Sequence, residues 1–247
     1  MGFRSDISVL RTKVMSFILC MLPGIAFGSS PVGRCAGLYY DYVSISGARH
    51  MVGQIHSLLL QNLLGHFPAW TPRSRPVEAY QPGQLDECPV NFYFGTYYDN
   101  KLPPEFLDDA RHTKSTLVWM GYNSWQLGES YLNRSAGISF TGLSGLDHGR
   151  KDAGGFPGFY RMNRYLGEEF VKFAGWNPAE PEKLLAAWEL NLFSIKDAGI
   201  AEVVATAEHS TDFSLANHSR PWAIRSGKNR WFIAESPFSF ITEDDRY

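Results

Sequence analysis

The chain has 247 residues, of which 44% are hydrophobic and 19% charged, and its net charge is -2 at pH 7. This is the make-up of an ordinary globular protein of one domain, or of one domain with a smaller lobe, and a chain of this size buries about 70% of its extended surface without help from a metal. The charge balance excludes generic nucleic-acid binding, which needs a basic face to neutralise phosphates.

The first 28 residues read as a class apart. Arg4, Arg11 and Lys13 precede an apolar run from Val14 to Phe27, and Ala26 and Gly28 occupy the small-residue positions of a cleavage site. A spanning helix needs about 20 apolar residues, and this run is shorter and holds Pro23, so a secretory signal peptide is expected over 1–28 in preference to an anchor. The mature chain is then secreted, or periplasmic and in the cell envelope, and meets a membrane through that segment alone. Removing three positive charges and one negative takes the net charge from -2 to -4. Of three cysteines, Cys35 and Cys88 remain. Export permits a disulfide between them, and two buried free thiols are the alternative.

Residues 29–247 are expected to form one α/β domain. Leu38 to Asp41 is a first short strand ending in a carboxylate. From about Ala48 to Leu64, Met51, Ile55, Leu58, Leu59 and Leu63 recur at helical spacing, which predicts a helix lying on the sheet with Gly65 as its stop. A proline-rich connection over Ala69 to Arg75 leads to a candidate strand at Pro76 to Tyr80 and a turn at Gln81-Pro82-Gly83. Val90 to Phe94 and Leu117 to Met120 are apolar runs of strand length closed by Gly95 and Gly121, and such unalternating runs suit strands buried on both faces. Between them Pro103 and Pro104 start a helix, Glu105 to Arg111, with acidic residues where the helix dipole favours them. The order is β-α-β-β-α-β, a mostly parallel sheet flanked by helices, and ligands in such sheets bind beyond the carboxyl ends of the strands.

The pattern then changes. Seven of the 22 residues from Gly137 to Gly158 are glycine, which predicts loop or short hairpins within an irregular insertion at about 130–180. A strand pair is expected over Phe159 to Phe173, a helix over Pro181 to Leu190 and a strand over Glu202 to Ala207. A C-terminal hairpin is expected, Pro221 to Arg225 and Arg230 to Glu235 around Gly227-Lys228-Asn229, with Trp222, Ile224, Trp231 and Ile233 sharing a face.

The seven histidines include no pair spaced for a metal on one helix face, so neither a metal nor another cofactor is expected. No Gly-x-Ser-x-Gly elbow occurs. What remains is a set at the predicted strand ends: Tyr40, Asp41, Tyr98, Asp99, Asn123 and Trp125. Aromatic faces beside carboxylates and amides suit sugar rings, whose C–H face stacks while their hydroxyls need fixed partners. Tyr40, Tyr98 and Trp125 are thus candidate ligand-binding residues. Asp41, Asp99 and Asn123 are candidate catalytic residues, with a carboxylate as general base and the amide as hydrogen-bond donor. Packing for the aromatic residues and turn capping for the two aspartates are the alternatives. Arg225 and Glu235 also enter the ligand-binding set, although a cross-strand ion pair between them explains both.

Two resemblances follow from these residues. Strand and Gly95, helix, strand and Gly121, then EVVATA and PWAIRSGKNRWFIAES resemble the class I glutamine amidotransferase-like fold. In that fold the turn here occupied by Gly121-Tyr122-Asn123-Ser124-Trp125 carries a nucleophilic cysteine, and its replacement implies a binding or degenerate domain. NLLGHF (62–67), GTYYD (95–99), PPEFL (103–107), VWMGYNSWQL and PWAIRSGKNRWFIAESPFSFITEDDRY together resemble the N-terminal region of the family called domain of unknown function 2334, secreted bacterial proteins related to polysaccharide deacetylases. In that family the chain continues past EDDRY into a catalytic barrel with metal-binding aspartates and histidines, none of which maps onto this sequence. The resemblance implies an exported accessory or carbohydrate-binding domain, with a polysaccharide ligand and a C-terminal deacetylase-like domain as partners. A stand-alone hydrolase with an Asp/Asn strand-end site and a truncated fragment are the other expectations.

Overall fold

A computed structural model describes residues 34–42, 44–45, 48–49, 51–144, 158–162, 169–172, 190–210 and 217–235. The expected signal peptide lies outside these residues, as does the helix expected over Pro181–Leu190 up to residue 189, while Leu190 itself opens a strand. The chain opens with β1 (Arg34–Tyr40), a two-residue ribbon of β2 (Ser44–Ile45) and β3 (Ala48–Arg49), and helix α1 (Val52–Leu64). Strands β4 (Trp70–Pro76) and β5 (Val90–Gly95), helix α2 (Pro104–His112) and β6 (Thr116–Gly121) follow. Then come β7 (Ile138–Ser144), β8 (Gly158–Met162), β9 (Glu169–Lys172), β10 (Leu190–Ile195), β11 (Ala201–Ser210), β12 (Asn217–Ser226) and β13 (Arg230–Ile233).

The main sheet has nine strands in the order β4-β1-β5-β6-β13-β12-β11-β8-β9. The pairs from β4 to β13 are parallel and those from β13 to β9 antiparallel. Alternation along the buried strands divides the core in two. Leu38, Phe92, Phe94, Met120, Trp231 and Ile233 face the side that receives Leu60 and Leu64 of α1. Tyr39, Tyr93, Trp119 and Phe232 face the side that receives Phe106 and Ala110 of α2. The fold is therefore α/β, with a helix on each face of the parallel half, as the uninterrupted apolar runs require. The β7–β10 pair forms a small antiparallel sheet of its own and adds Ile138 and Phe193 to the α2 face. Strand β7 thus brings regular structure into the glycine-rich stretch, with a partner some fifty residues away rather than a local hairpin.

Several expectations need correction. The strand expected at Pro76–Tyr80 is a short 3-10 turn at Val77–Ala79, and the strand lies earlier, in the stretch read as a proline-rich connection. Pro72 and Pro76 are tolerated because β4 is the edge strand and pairs with β1 alone. Helix α1 begins at Val52, not Ala48, and buries Gly53, His56, Ser57, Leu60 and Leu64. Met51, Ile55 and Leu58 of the expected apolar stripe are 50%, 39% and 50% exposed. Gly53 decides this orientation, since a Cβ there would lie 2.8 Å from the Asp41 carbonyl, so α1 lies close against the end of β1 on its glycine face. The terminal hairpin forms, but Ile224 joins the α2 face while Trp222, Trp231 and Ile233 join the α1 face. Register shifts between β11 and β12 around Val203–Thr206 leave Trp222 without a register partner on β11, and a bulge breaks the alternation that would have put it beside Ile224. Strand β13 of this hairpin inserts beside β6, parallel to it, so that Glu235 follows at the carboxyl edge of the parallel strands.

Candidate functional site

Strands β1, β5, β6 and β13 end level: Tyr40 pairs with Phe94, Gly95 with Gly121, and Ile233 with Met120. The residues that follow form one row, Asp41, Thr96, Tyr122 to Ser124, and Glu235. Two backbones cross closely in this row. Tyr122 donates its N–H to the Gly95 carbonyl at 2.8 Å, and a Cβ on Gly95 would collide with the Tyr122 carbonyl oxygen, so glycine is required at 95. Trp119 Nε1 donates to that same carbonyl at 2.8 Å. The turn then passes through left-handed Gly121 (φ 79°) and Asn123 (φ 73°).

Asp41 is the hub. It has no exposed surface. Its Oδ2 accepts the backbone N–H groups of Thr96 (2.9 Å) and Tyr97 (3.0 Å), and its Oδ1 accepts Tyr93 Oη (2.8 Å) and Asn100 Nδ2 (2.9 Å). Asn123, also fully buried, donates Nδ2 to Tyr93 Oη (3.1 Å) and to the Tyr97 carbonyl (3.0 Å). Asn100 Nδ2 lies 3.0 Å from Glu78 Oε1, which also accepts the Tyr42 N–H at 3.0 Å. Gln126 closes the set by donating to the Asn100 carbonyl and accepting the Leu102 N–H. Burial pushes the Asp41 carboxyl up to about 6, against the pull of its bonds from Tyr97, Asn100 and Tyr93, and the nearby Glu78 charge pushes in the same direction as burial. Burial, and then the Asp41 charge, hold the Tyr93 phenol well above its ordinary value.

The sequence-predicted residues separate accordingly. Asp41 and Asn123 share the hub through Tyr93. Asp99 does not join them: it is exposed, in left-handed conformation (φ 55°), and the buried polar residue of its loop is Asn100. Asp41 has all its usual acceptor positions filled by protein donors, so it organises the loop rather than standing ready to take a proton from a ligand. Tyr40 is core, packed on the α1 face with its ring 6.3 Å from that of Tyr42. Tyr98 and Trp125 do meet. Tyr98 is 56% exposed, its ring 5.4 Å from Trp125 and 5.8 Å from Tyr122, and Trp125 continues to Phe140 at 4.9 Å. Arg225 and Glu235 do not pair across the hairpin as expected. Register sets Arg225 opposite Trp231 and Glu202, and it forms a 2.6 Å ion pair with Glu202. Glu235 is buried and accepts Trp222 Nε1 at 3.1 Å. Cys35 and Cys88 are joined as a disulfide.

A scan of protein-family models and a search of curated proteins give no match. Among solved structures, a ThuA-like protein from Bacteroides uniformis superposes with a TM-score of 0.55 over 90% of this chain and 89% of its own, at 13% identity. The fold is ThuA-like. A second ThuA-like protein, from Parabacteroides merdae, matches at a TM-score of 0.41 and 12% identity over 81% of this chain and 78% of its own. Left-handed Asn123 stands in the turn after β6, where its amide donates to Tyr93 Oη and to the Tyr97 carbonyl.

Sequence reasoning missed Tyr93, Asn100, Glu78 and Gln126. Tyr93 was hidden inside an apolar run, where only its hydroxyl signals a polar partner. Asn100 and Gln126 carried no sequence signal. Three further oxygens, Thr96 Oγ1, Asn123 Oδ1 and Ser124 Oγ, are buried without a hydrogen-bond partner among the described residues.

Proposed function

We propose that this chain is an exported carbohydrate-binding domain, the accessory half of a polysaccharide-deacetylase-like protein, and that it takes its sugar on Tyr98, Tyr122 and Trp125. The observation that carries this reading is the aromatic group at the carboxyl ends of the parallel strands, with Tyr98 exposed on a loop whose backbone is fixed at both ends. Such a platform stacks against the C–H face of a pyranose at little cost in ordering, because the rings are already held. The hub beneath supplies rigidity. The Cys35–Cys88 bridge accords with export, since disulfides persist in oxidising compartments.

The hydrolase reading has one feature in its favour, the position of Asp41 at about 6, within the range of a working general base. Its four hydrogen bonds weigh against that role. Titration calorimetry of the full chain with acetylated xylan and with N-acetylchitohexaose tests the proposal. Binding by the wild type is expected, weakened about tenfold or more by Trp125→Ala, which corresponds to about 1.4 kcal/mol. Acetate released by this chain and abolished by Asp41→Asn would replace the binding reading with the hydrolase one.

A further inference from the structure

The rings of the aromatic platform stand on two separate loops. Tyr98 lies in the stretch between β5 and α2, and Tyr122 and Trp125 lie in the turn after β6. The spacing of the rings, 5.4 Å from Tyr98 to Trp125 and 5.8 Å from Tyr98 to Tyr122, therefore depends on bonds from one loop to the other. Ahead of Tyr98, the Gly95 carbonyl accepts the Tyr122 N–H at 2.8 Å and the Tyr97 carbonyl accepts Asn123 Nδ2 at 3.0 Å. Beyond Tyr98, one half-buried side chain makes two contacts: Gln126 Nε2 donates to the Asn100 carbonyl at 2.5 Å, and its Oε1 accepts the Leu102 N–H at 3.1 Å. A carboxylate could not donate to that carbonyl and an amine could not accept that N–H, so an amide suits the pair. The Gln126 backbone is itself fixed, its N–H donating to the Asn123 carbonyl at 3.1 Å. Its neighbour in the chain is Trp125, the ring against which Tyr98 packs.

We propose that Gln126 is a positioning residue, the clamp that holds the loop of Tyr98 against the Trp125 turn, and that the platform depends on this clamp for its affinity. For that consequence the inference rests on the binding reading above; the clamp itself is read without a ligand. Asp41 and Asn123 fix the loop where it leaves β5, through Thr96 and Tyr97. Asn100 also reaches Asp41 and Glu78 with its side chain, which ties the loop to the residues after β1 and β4 but not to the Trp125 turn. The Gln126 amide supplies that tie. Without it a sugar must order the two loops against each other as it binds, a cost that a preformed platform avoids. Gln126 acts through the backbone at Asn100 and Leu102 and touches no sugar.

Two variants test this. In Gln126→Ala the Leu102 amide loses its acceptor, so its hydrogen exchange is expected to rise about tenfold, while the Thr96 and Tyr97 amides, held by Asp41, keep their wild-type rates. Gln126→Glu keeps the length of the side chain and its acceptor, but its carboxylate cannot donate to the Asn100 carbonyl. Once protonated, that carboxyl offers a donor and an acceptor, as the amide does. Calorimetry with acetylated xylan and with N-acetylchitohexaose is therefore expected to show this variant about tenfold weaker than the wild type at pH 7.5 and within about twofold of it at pH 4. A residue that only filled space would give the same ratio at both. An unchanged Leu102 amide in Gln126→Ala, equal loss of protection at Thr96 and Tyr97, wild-type affinity of Gln126→Glu at pH 7.5, or a ratio that does not close at pH 4 overturns the proposal. Failure of the wild type to bind either sugar at either pH, with the Leu102 amide selectively exposed in Gln126→Ala, would instead remove the sugar platform and leave the clamp standing.

Discussion

A carboxylate with no exposed surface is tolerated in a protein interior when donors replace its water, and Asp41 has four of them. The replacement is incomplete, because burial still moves the group up to about 6. A folded-state value above the unfolded one means that the folded chain holds the extra proton. The Asp41 contribution to stability is therefore full below about pH 4 and is lost as pH rises through about 6, a change on the order of 3 kcal/mol. Urea unfolding of wild type and Asp41→Asn at pH 4.5 and 7.5 checks the sign. The advantage of the wild type over the variant is expected to be larger at the lower pH, and because other carboxylates are common to both proteins their titration cancels in the difference. Gly95 makes a second case at this scale. Its backbone lies against that of Tyr122 with no room for a Cβ, so Gly95→Ala is expected to cost about 1–3 kcal/mol in urea unfolding and to disturb the turn at Asn123.

At the scale of elements, α1 shows where reading a pattern fails. Of the expected stripe Met51, Ile55, Leu58, Leu59 and Leu63, the last two pack against the core, but the first three stay exposed and the helix turns Gly53, His56, Ser57, Leu60 and Leu64 fully inward. Close approach to β1 governs this choice: the glycine allows backbone contact, and Ser57 finds Ser74 of β4 at 2.6 Å. Periodicity counts apolar side chains and is blind to a glycine face. Leu60→Ala is accordingly expected to cost about 2–5 kcal/mol, and Leu58→Ala within about 0.5 kcal/mol, both read from chemical denaturation. The buried runs at β5 and β6 were legible because both faces of a central parallel strand are apolar, whatever follows them in space. The site was legible in part. Asp41, Asn123, Tyr98 and Trp125 stand at strand ends that the sequence marks with Gly95 and Gly121, whereas Asn100 and Glu78 reach the hub only because the loops after β5 and β4 fold back over β1. Asp99 was chosen by charge, and the left-handed turn that exposes it also delivers its neighbour Asn100 to the hub.

The whole molecule joins a parallel half, which bears the strand-end site, to an antiparallel half through β13, which pairs with β6 on one side and β12 on the other. The disulfide acts at the opposite end of the parallel half. It ties Cys35, near the start of β1, to Cys88, just before β5, and closes a loop that contains α1 and the edge strand β4. Beside it Glu87 pairs with Arg73 and Arg75 of β4 at 3.4 Å, exposed contacts that add little by themselves. The bridge contributes chiefly by restricting the unfolded chain. For residues 53 apart in sequence the loop-closure model gives about 4 kcal/mol. Because β1 is also the strand that presents Asp41, loosening its N-terminal end removes support from the hub at its far end. The double variant Cys35→Ala/Cys88→Ala is expected to lose about that much unfolding free energy in urea titration, with a lower midpoint, and reductant is expected to destabilise the wild type but not the variant. Equal midpoints for oxidised and reduced wild type would mean that packing of α1 and β4 on β1 already confines this loop, and that the strand-end hub stands without the bridge.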